Sequence, residues 1–318
     1  MSSNKSEGRA SEPSAKSRRR RILIAAHREQ SDVTPLLEEL LPSLKSAGFD
    51  VIPAQDLGVS FKDEKLGAIE VTDTSVERPG QPVPGVDLVL ALGGDGFMMA
   101  LIRALDYPST SFYGINYGRV GFLMNPRLTA EELTRVLVDE AWSKCSYPVL
   151  EARITLSDGR EVVERAFNDF VIERASGQTV ELNCYIDDVL LNRYSGDGLI
   201  VATPGGSTAY SLAAGGPVVH HSVDSMVVTP LCPHRPIQFH SLQFPLVLTL
   251  RSAIRVVNSD RQKRPCRCVC DGRAVEHISE VSIRHRGLRV TLLRGAGYDF
   301  VDTLVKKVIG RSNGSSDD

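Results

Sequence analysis

The chain has almost no excess charge: 37 Lys and Arg stand against 39 Asp and Glu, a formal net charge of −2 over 318 residues. That balance excludes a global electrostatic attraction to nucleic acid or to an anionic membrane surface. Long hydrophobic runs are missing too. The apolar stretch Ile22–Ala26, which follows the basic "KSRRRR" of Lys16–Arg21, is far too short for a signal-peptide core or a membrane span. The expectation is a soluble cytoplasmic protein whose residues 1–19 form a disordered, Ser-rich leader. Cysteine occurs six times, but with no secretion signal the thiols read as reduced. "CRCVC" at Cys266–Cys270 lacks the looped C-x₂₋₄-C spacing of zinc sites, so it reads as a strand face lined by small apolar thiols and no metal ligands are assigned. His220, His221, His234 and His240 show no ligand spacing either. There is no G-x-G-x-x-G after the first strand, where "AAHREQ" stands, and this argues against a dinucleotide-binding dehydrogenase. No internal repeat is visible.

What is present is ordinary for a globular chain, with 42% apolar and 24% charged residues and length enough for two domains. From residue 20 to about 127, strands and helices alternate. "RILIAA", "DVIPA", "VDLVLAL" and "STSFYGIN" read as strands, and "DVTPLLEELLPSLKSAG" as a helix that Pro42 should kink or split. This βαβ order predicts a parallel sheet with helices on both faces. Gly58 to Gly85, with "RPGQPVPG", reads as a mobile loop. "TAEELTRVLVDEAW" opens with Thr129 and Glu132 spaced as a capping box, which predicts a linking helix within residues 128–147. From 148 to 297 the grammar changes to short alternating segments parted by Gly, Asp, Asn or Pro, the pattern of an all-β unit. Residues 298–310, "YDFVDTLVKKVIG", read as a helix that returns to the first domain, and 311–318 as a disordered tail.

Chemistry enters at "LALGGDGFMM", Leu90–Met99. An apolar strand runs into Gly93, Gly94, Asp95 and Gly96, and a helix follows at once. Strand-to-helix turns of open α/β sheets are where ligands bind, and glycines there let a phosphate approach the helix N-terminus. A carboxylate in that place repels a phosphate unless it accepts a proton from a hydroxyl or hydrogen-bonds a ribose; the plainer alternative is that it caps the helix. Three further polar segments are more than an all-β unit needs. "NDFVIER" places Asn168 and Asp169 at the head of a strand. "SGDGLIVATPGGSTAYSLAAGG", Ser195–Gly216, is a second glycine-rich turn, with Ser207 and Thr208 at the N-cap of a helix beginning "AYSLAA". "CDGRAV" turns a hairpin at Asp271–Gly272, with Arg273 next.

Together with "GINYGRVGFL" and "TPLCPH", these segments resemble the NAD kinase family in order and spacing from Arg20 to Ile309. The resemblance implies an N-terminal Rossmann-like parallel α/β domain completed by the C-terminal helix, and a C-terminal β-sandwich that binds NAD. It implies phosphorylation of the adenosine-ribose 2′-hydroxyl of NAD by ATP with Mg²⁺, giving NADP, in a homodimer or homotetramer whose sites form partly across subunits. Asp95 is then the proton acceptor, with Gly93, Gly94 and Gly96 at the phosphates. The implied NAD contacts are Asp95, Gly96, Asn168, Asp169, Ser195, Asp197, Thr208, Ala209, Tyr210, Ser211, Leu212, Ala213 and Arg273. The chain departs from the family pattern at Phe97, where threonine is usual, at Gly205, in place of a second threonine, and at Asp169, one methylene shorter than the common glutamate. Two other classes compete. Lipid kinases share "GGDG" but lack the "GSTAYSLAAGG" and "NDFVIER" combination. An NADP(H) sensor has no need of a base beside the hydroxyl.

Overall fold

In the computed structural model the described residues are 18–27, 33–53, 59–63, 68–71, 79–118, 121–234 and 242–310. All but two residues of the expected leader, and the whole expected tail, lie outside them. The chain begins with β1 (Arg21–Ala26), α1 (Val33–Ser46) and β2 (Asp50–Pro53). A small antiparallel hairpin, β3 (Val59–Asp63) and β4 (Ala68–Val71), precedes β5 (Leu88–Gly93), α2 (Asp95–Ala104), β6 (Phe112–Asn116) and α3 (Ala130–Asp139). Strands β6, β5, β1 and β2 lie side by side in that order, every pair parallel. The near-continuous apolar character of β1, β5 and β6 follows from burial on both faces. Leu23, Ala25, Val89 and Ala91 face Met98, Leu101 and Ile102 of α2, whereas Ile22, Ile24, Leu88, Leu90 and Leu92 face Leu36, Leu40 and Leu44 of α1 and Leu133 and Leu137 of α3. The two-residue period of the strands thus divides one run of sequence between two cores.

Three expectations change here. Pro42 does not split its helix. It lies on the exposed side of α1, opposite the buried Leu36–Leu40–Leu44 stripe, where water can satisfy the carbonyl that loses its donor. The stretch expected to be a mobile loop contains the β3–β4 hairpin. The linking helix expected within 128–147 is shorter: its capping box is present, with Thr129 Oγ1 accepting from the Glu132 N–H and Glu132 Oε2 from the Thr129 N–H, but it stops at Asp139. Glu140 adopts a left-handed conformation, and Trp142 already pairs with the other half of the molecule.

The remaining strands are β7 (Trp142–Leu156), β8 (Glu161–Ala166), β9 (Asp169–Arg174), β10 (Val180–Ile186), β11 (Val189–Gly196) and β12 (Gly198–Ala202), then, after the short helix α4 (Tyr210–Ala213), β13 (Ser225–Leu231), β14 (Leu246–Thr249), β15 (Ile254–Asn258), β16 (Cys266–Cys270) and β17 (Arg273–Gly295). One layer runs β14, β13, β12, β9, β16, β17; the other joins β8 to β7, β7 and β15 to β17, β15 to β10, and β10 to β11. Ile154, Phe170, Ile172, Leu182, Met226, Val256 and Val281 fill the core between them. Cys266, Cys268 and Cys270 turn into the same core, as the alternation of "CRCVC" indicated.

The two halves are joined by sheet. β17 is 23 residues long, pairs with β16, β15 and β7, and at Leu292 and Leu293 runs parallel to β6. Residues 147 and 148, the expected boundary, fall in the middle of β7. After β17, α5 (Phe300–Leu304) and a π-helical turn (Val305–Ile309) come back to the first half, where the Tyr298 hydroxyl donates to the Phe122 carbonyl at 3.2 Å and the Phe300 and Phe122 rings lie 6.1 Å apart. Among the described residues no helix is long and apolar enough to cross a membrane.

Candidate active site

β5 ends at Gly93, and Gly94 is the N-cap of α2 without a side-chain cap. Asp95 is the first helical residue and does not cap. Its side chain leaves the helix and reaches the loop after β6, where Oδ2 accepts from the Phe122 N–H at 2.7 Å and Oδ1 from the Leu123 N–H at 3.0 Å. The ammonium of Lys307, on the C-terminal helical turn, stands 3.2 Å from Oδ2. The fit requires glycine at 121, because a Cβ there would overlap Asp95 Oδ1. Gly96 stays exposed at the start of the helix, and nothing lies within 4 Å of where its Cβ would be. Phe97 turns the other way: its ring is buried beneath Gly93 and meets His27 edge-on at 5.6 Å. A side chain in this position reinforces the core.

Asn168 and Asp169 enter β9 under a clamp. The Asp271 carboxylate, at the β16–β17 turn, accepts from the backbone N–H groups of Phe167, Asn168 and Asp169 at 2.6, 2.9 and 3.1 Å. Arg103, near the end of α2, donates to the Asp271 carbonyl at 3.1 Å, and the Asn168 amide reaches the Met99 sulfur at 3.2 Å. The helix that begins with Asp95 is therefore tied once to the residue preceding β9 and once to the turn that clamps it. Desolvation pushes the Asp169 carboxyl up to about 7, with the neighbouring Asp271 charge adding to it. Asp271 is pushed up to about 6 by burial, against the three N–H bonds that favour its charged form.

The second glycine turn closes on the same strand. Thr203 Oγ1 donates to the Phe167 carbonyl at 2.6 Å and accepts from the Gly206 N–H at 3.1 Å, and the Thr203 N–H donates to the Asn168 carbonyl at 2.8 Å. Gly206 lies so close that a Cβ would overlap that carbonyl. The expected N-cap by Ser207 or Thr208 does not form, since both hydroxyls are used within the turn. Ser207 Oγ donates to the Pro204 carbonyl and accepts from the Val219 N–H; Thr208 Oγ1 donates to the Gly205 carbonyl; Ala209 is the N-cap of α4, which is only four residues long.

Beyond this turn is an open cleft of about 520 Å³ with Asp197, Tyr210, Arg174, Glu173 and Arg267 on its walls. Asp197 pairs with Arg174 at 3.0 Å and Glu173 with Arg267 at 2.7 Å, while the Tyr210 side chain is half exposed. Ser195 is buried, with its carbonyl accepting from the His234 N–H, and Ser211 is buried against Thr229. Leu212 is half-buried and Ala213 exposed, so neither is helix core. Arg273 stands apart, exposed and 3.9 Å from Glu164. His220 and His221 stack beside Tyr147 and Phe300, where burial pushes His221 down to about 4; His240 lies outside the described residues. Asp271, Arg103 and Lys307 were not anticipated. The Asp271–Gly272 turn was visible in the sequence, but a carboxylate at a hairpin turn does not announce which backbone it will bind.

A glycine turn and a donor-held carboxylate at the end of a parallel strand, joined to a second glycine turn and a charged cleft, form a site suited to a phosphorylated, hydroxyl-bearing ligand. The chain belongs to the ATP-NAD kinase family, whose N-terminal domain profile matches residues 22–141 and whose C-terminal domain profile matches residues 167–285. It is 39% identical over 223 residues to the NAD kinase of Thermomicrobium roseum, covering 68% of this chain and 74% of that one. It is 29% identical over 297 residues to the NAD kinase of Acetivibrio thermocellus, covering 92% and 98%. Its fold superimposes on yeast NADH kinase complexed with NADH, with TM-score 0.69 and 19% identity over 96% of this chain and 93% of that one. A second solved structure, an NAD kinase from Archaeoglobus fulgidus in complex with ATP, has TM-score 0.61 and 22% identity, covering 86% and 92%.

Proposed function

We infer that the chain carries out the reaction of its family, ATP-dependent phosphorylation of NAD to NADP, with Asp95 accepting the proton of the ribose 2′-hydroxyl. The observation that carries the role of Asp95 is the arrangement of its lone pairs. An ionised carboxylate has about four acceptor positions. Among the described residues Phe122, Leu123 and Lys307 occupy three and leave one on Oδ1. A hydroxyl donating there gives up its proton as its oxygen bonds to the γ-phosphorus and the bond from that phosphorus to the bridging oxygen breaks, releasing ADP. The exposed start of α2 offers the positive end of the helix to the phosphates of ATP, which enters as its Mg²⁺ complex. Asn168, Asp169 and the turn at Gly205–Thr208 lie next to this carboxylate's helix, and the cleft holding Asp197 and Tyr210 extends the surface on which NAD would lie, with Ser195 and residues 208–213 around it.

The test is a coupled assay in which the chain, NAD, ATP and Mg²⁺ are incubated and NADP is read through an NADP-specific dehydrogenase. Asp95→Asn is expected to lower turnover by about 10³-fold, within the range for loss of a general base. Unchanged turnover in that variant would remove Asp95 from the role, and absence of NADP from the wild type would redirect attention to other donors and to the sensor reading. The proposal includes a homodimer or homotetramer: Val189, Leu190 and Leu191 are exposed on β11, which among the described strands pairs only with β10, so a second copy would cover an apolar edge. A monomer mass by light scattering would contradict it. The proposed location is the cytoplasm, tested by fractionation.

A further inference from the structure

Asp95 presents a difficulty that its own geometry does not resolve: a carboxylate beside a phosphate-binding turn repels the triphosphate it must work with. The C-terminal helix brings a counter-charge. In the helical stretch formed by α5 and the π turn, Phe300 and Lys307 are seven residues apart and both face Phe122. Lys307 Nζ lies 4.8 Å from the centre of the Phe122 ring and 3.2 Å from Asp95 Oδ2. The next lysine is directed elsewhere: Lys306 pairs with Asp302 of its own helix at 2.6 Å. The stretch is closed by the Gly310 N–H donating to the Val305 carbonyl at 2.9 Å, an i to i−5 bond of the kind often found at functional sites. About a third of the Lys307 side chain is exposed (35%), so its ammonium reaches the same open surface as Asp95 and Gly96.

We propose that Lys307 is a positioning residue of the transfer reaction: it fixes the Asp95 carboxylate and offsets the repulsion between that carboxylate and the phosphates of the donor. The C-terminal helix is then a wall of the active site as well as a clasp on the fold. The inference rests on the reading of Asp95 as proton acceptor. A partly exposed ion pair contributes little to stability, so a neutral side chain of similar length at 307 leaves folding intact while removing the charge.

The experiment compares wild type, Lys307→Met, Lys307→Arg, Lys306→Met and Asp95→Asn, with kcat and KM measured separately for Mg·ATP and for NAD, and the thermal midpoint of each variant. Lys307→Met is expected to raise the KM for Mg·ATP about tenfold and lower kcat about tenfold, with the KM for NAD and the thermal midpoint nearly unchanged. Lys307→Arg should recover most of the loss, and Lys306→Met should behave as wild type. Normal kinetics in Lys307→Met, an equal loss in Lys306→Met, or no recovery by arginine would each overturn the proposal. An active Asp95→Asn would instead bring down the reading on which it rests; an inactive Asp95→Asn beside a normal Lys307→Met assigns the failure to Lys307.

Discussion

Asp95 and Asp169 are both aspartates at the junction of a turn and a regular element, and their surroundings are opposite. Asp95 opens a helix of the parallel half and, among the described residues, its carboxyl group meets two backbone N–H groups and an ammonium. Asp169 opens a strand of the β half, is nearly buried, and has another carboxyl, Asp271, as its electrostatic neighbour. The first environment holds the Asp95 side chain in one orientation. The second resists ionisation, because burial and the neighbouring Asp271 charge raise the Asp169 carboxyl to about 7. One residue type takes on two characters because burial and neighbours differ.

The contrast breaks most sharply at Gly121. Replacement by alanine puts a methyl group where Asp95 Oδ1 lies, so the carboxylate must move. Misplacement of a reacting group by about an ångström costs about 10²-fold in rate, and that loss in kcat is the expected result in the coupled assay. The β half breaks at its clamp. Asp271→Ala leaves three N–H groups without their acceptor, and urea unfolding should show a loss of about 3 kcal/mol. A loss below about 0.5 kcal/mol would mean that water replaces the clamp.

Tyr210→Ala tests whether the cleft beyond the second turn belongs to the same site. The expected outcome is a rise of about tenfold in the KM for NAD with kcat less affected, as for lost ring stacking. An unchanged KM would separate the cleft from the dinucleotide. The smallest effect concerns pH. Because the folded state holds the Asp169 proton up to about 7 whereas an unfolded carboxyl releases it near about 4, folding is favoured below that window and loses stability as pH rises through it. In Asp169→Asn the thermal midpoint should vary less between those limits, and an unaltered slope would assign the pH dependence to other groups.

How much of this was legible differs from residue to residue. The turn at Gly93–Gly96 was readable because an apolar run, three glycines and a helix-compatible run leave little choice of local conformation. The capping box was readable at Thr129 and Glu132, but the far end of that helix was not, because it is set by the pairing of Trp142 with Gly295. Pro42 looked like a break; which side of the helix it occupies depends on where the core lies. In "CDGRAV" the eye falls on Arg273 as the charged residue. The structure instead places Asp271 at the centre of the strand entry and leaves Arg273 exposed near Glu164.

By itself the sequence determined what is local: the order of strands and helices, the two glycine turns, the alternation that buries Cys266, Cys268 and Cys270, and the family to which the motifs belong. Tertiary structure alone decided what is long-range. It brought Lys307 to Asp95 across 212 positions, Asp271 to Asn168 across 103, and one strand, β17, into both halves of the sheet. The physical reason is that backbone conformation is governed by neighbours a few residues away. The partner of a carboxylate is fixed only when burial of the whole core brings distant segments into hydrogen-bonding distance.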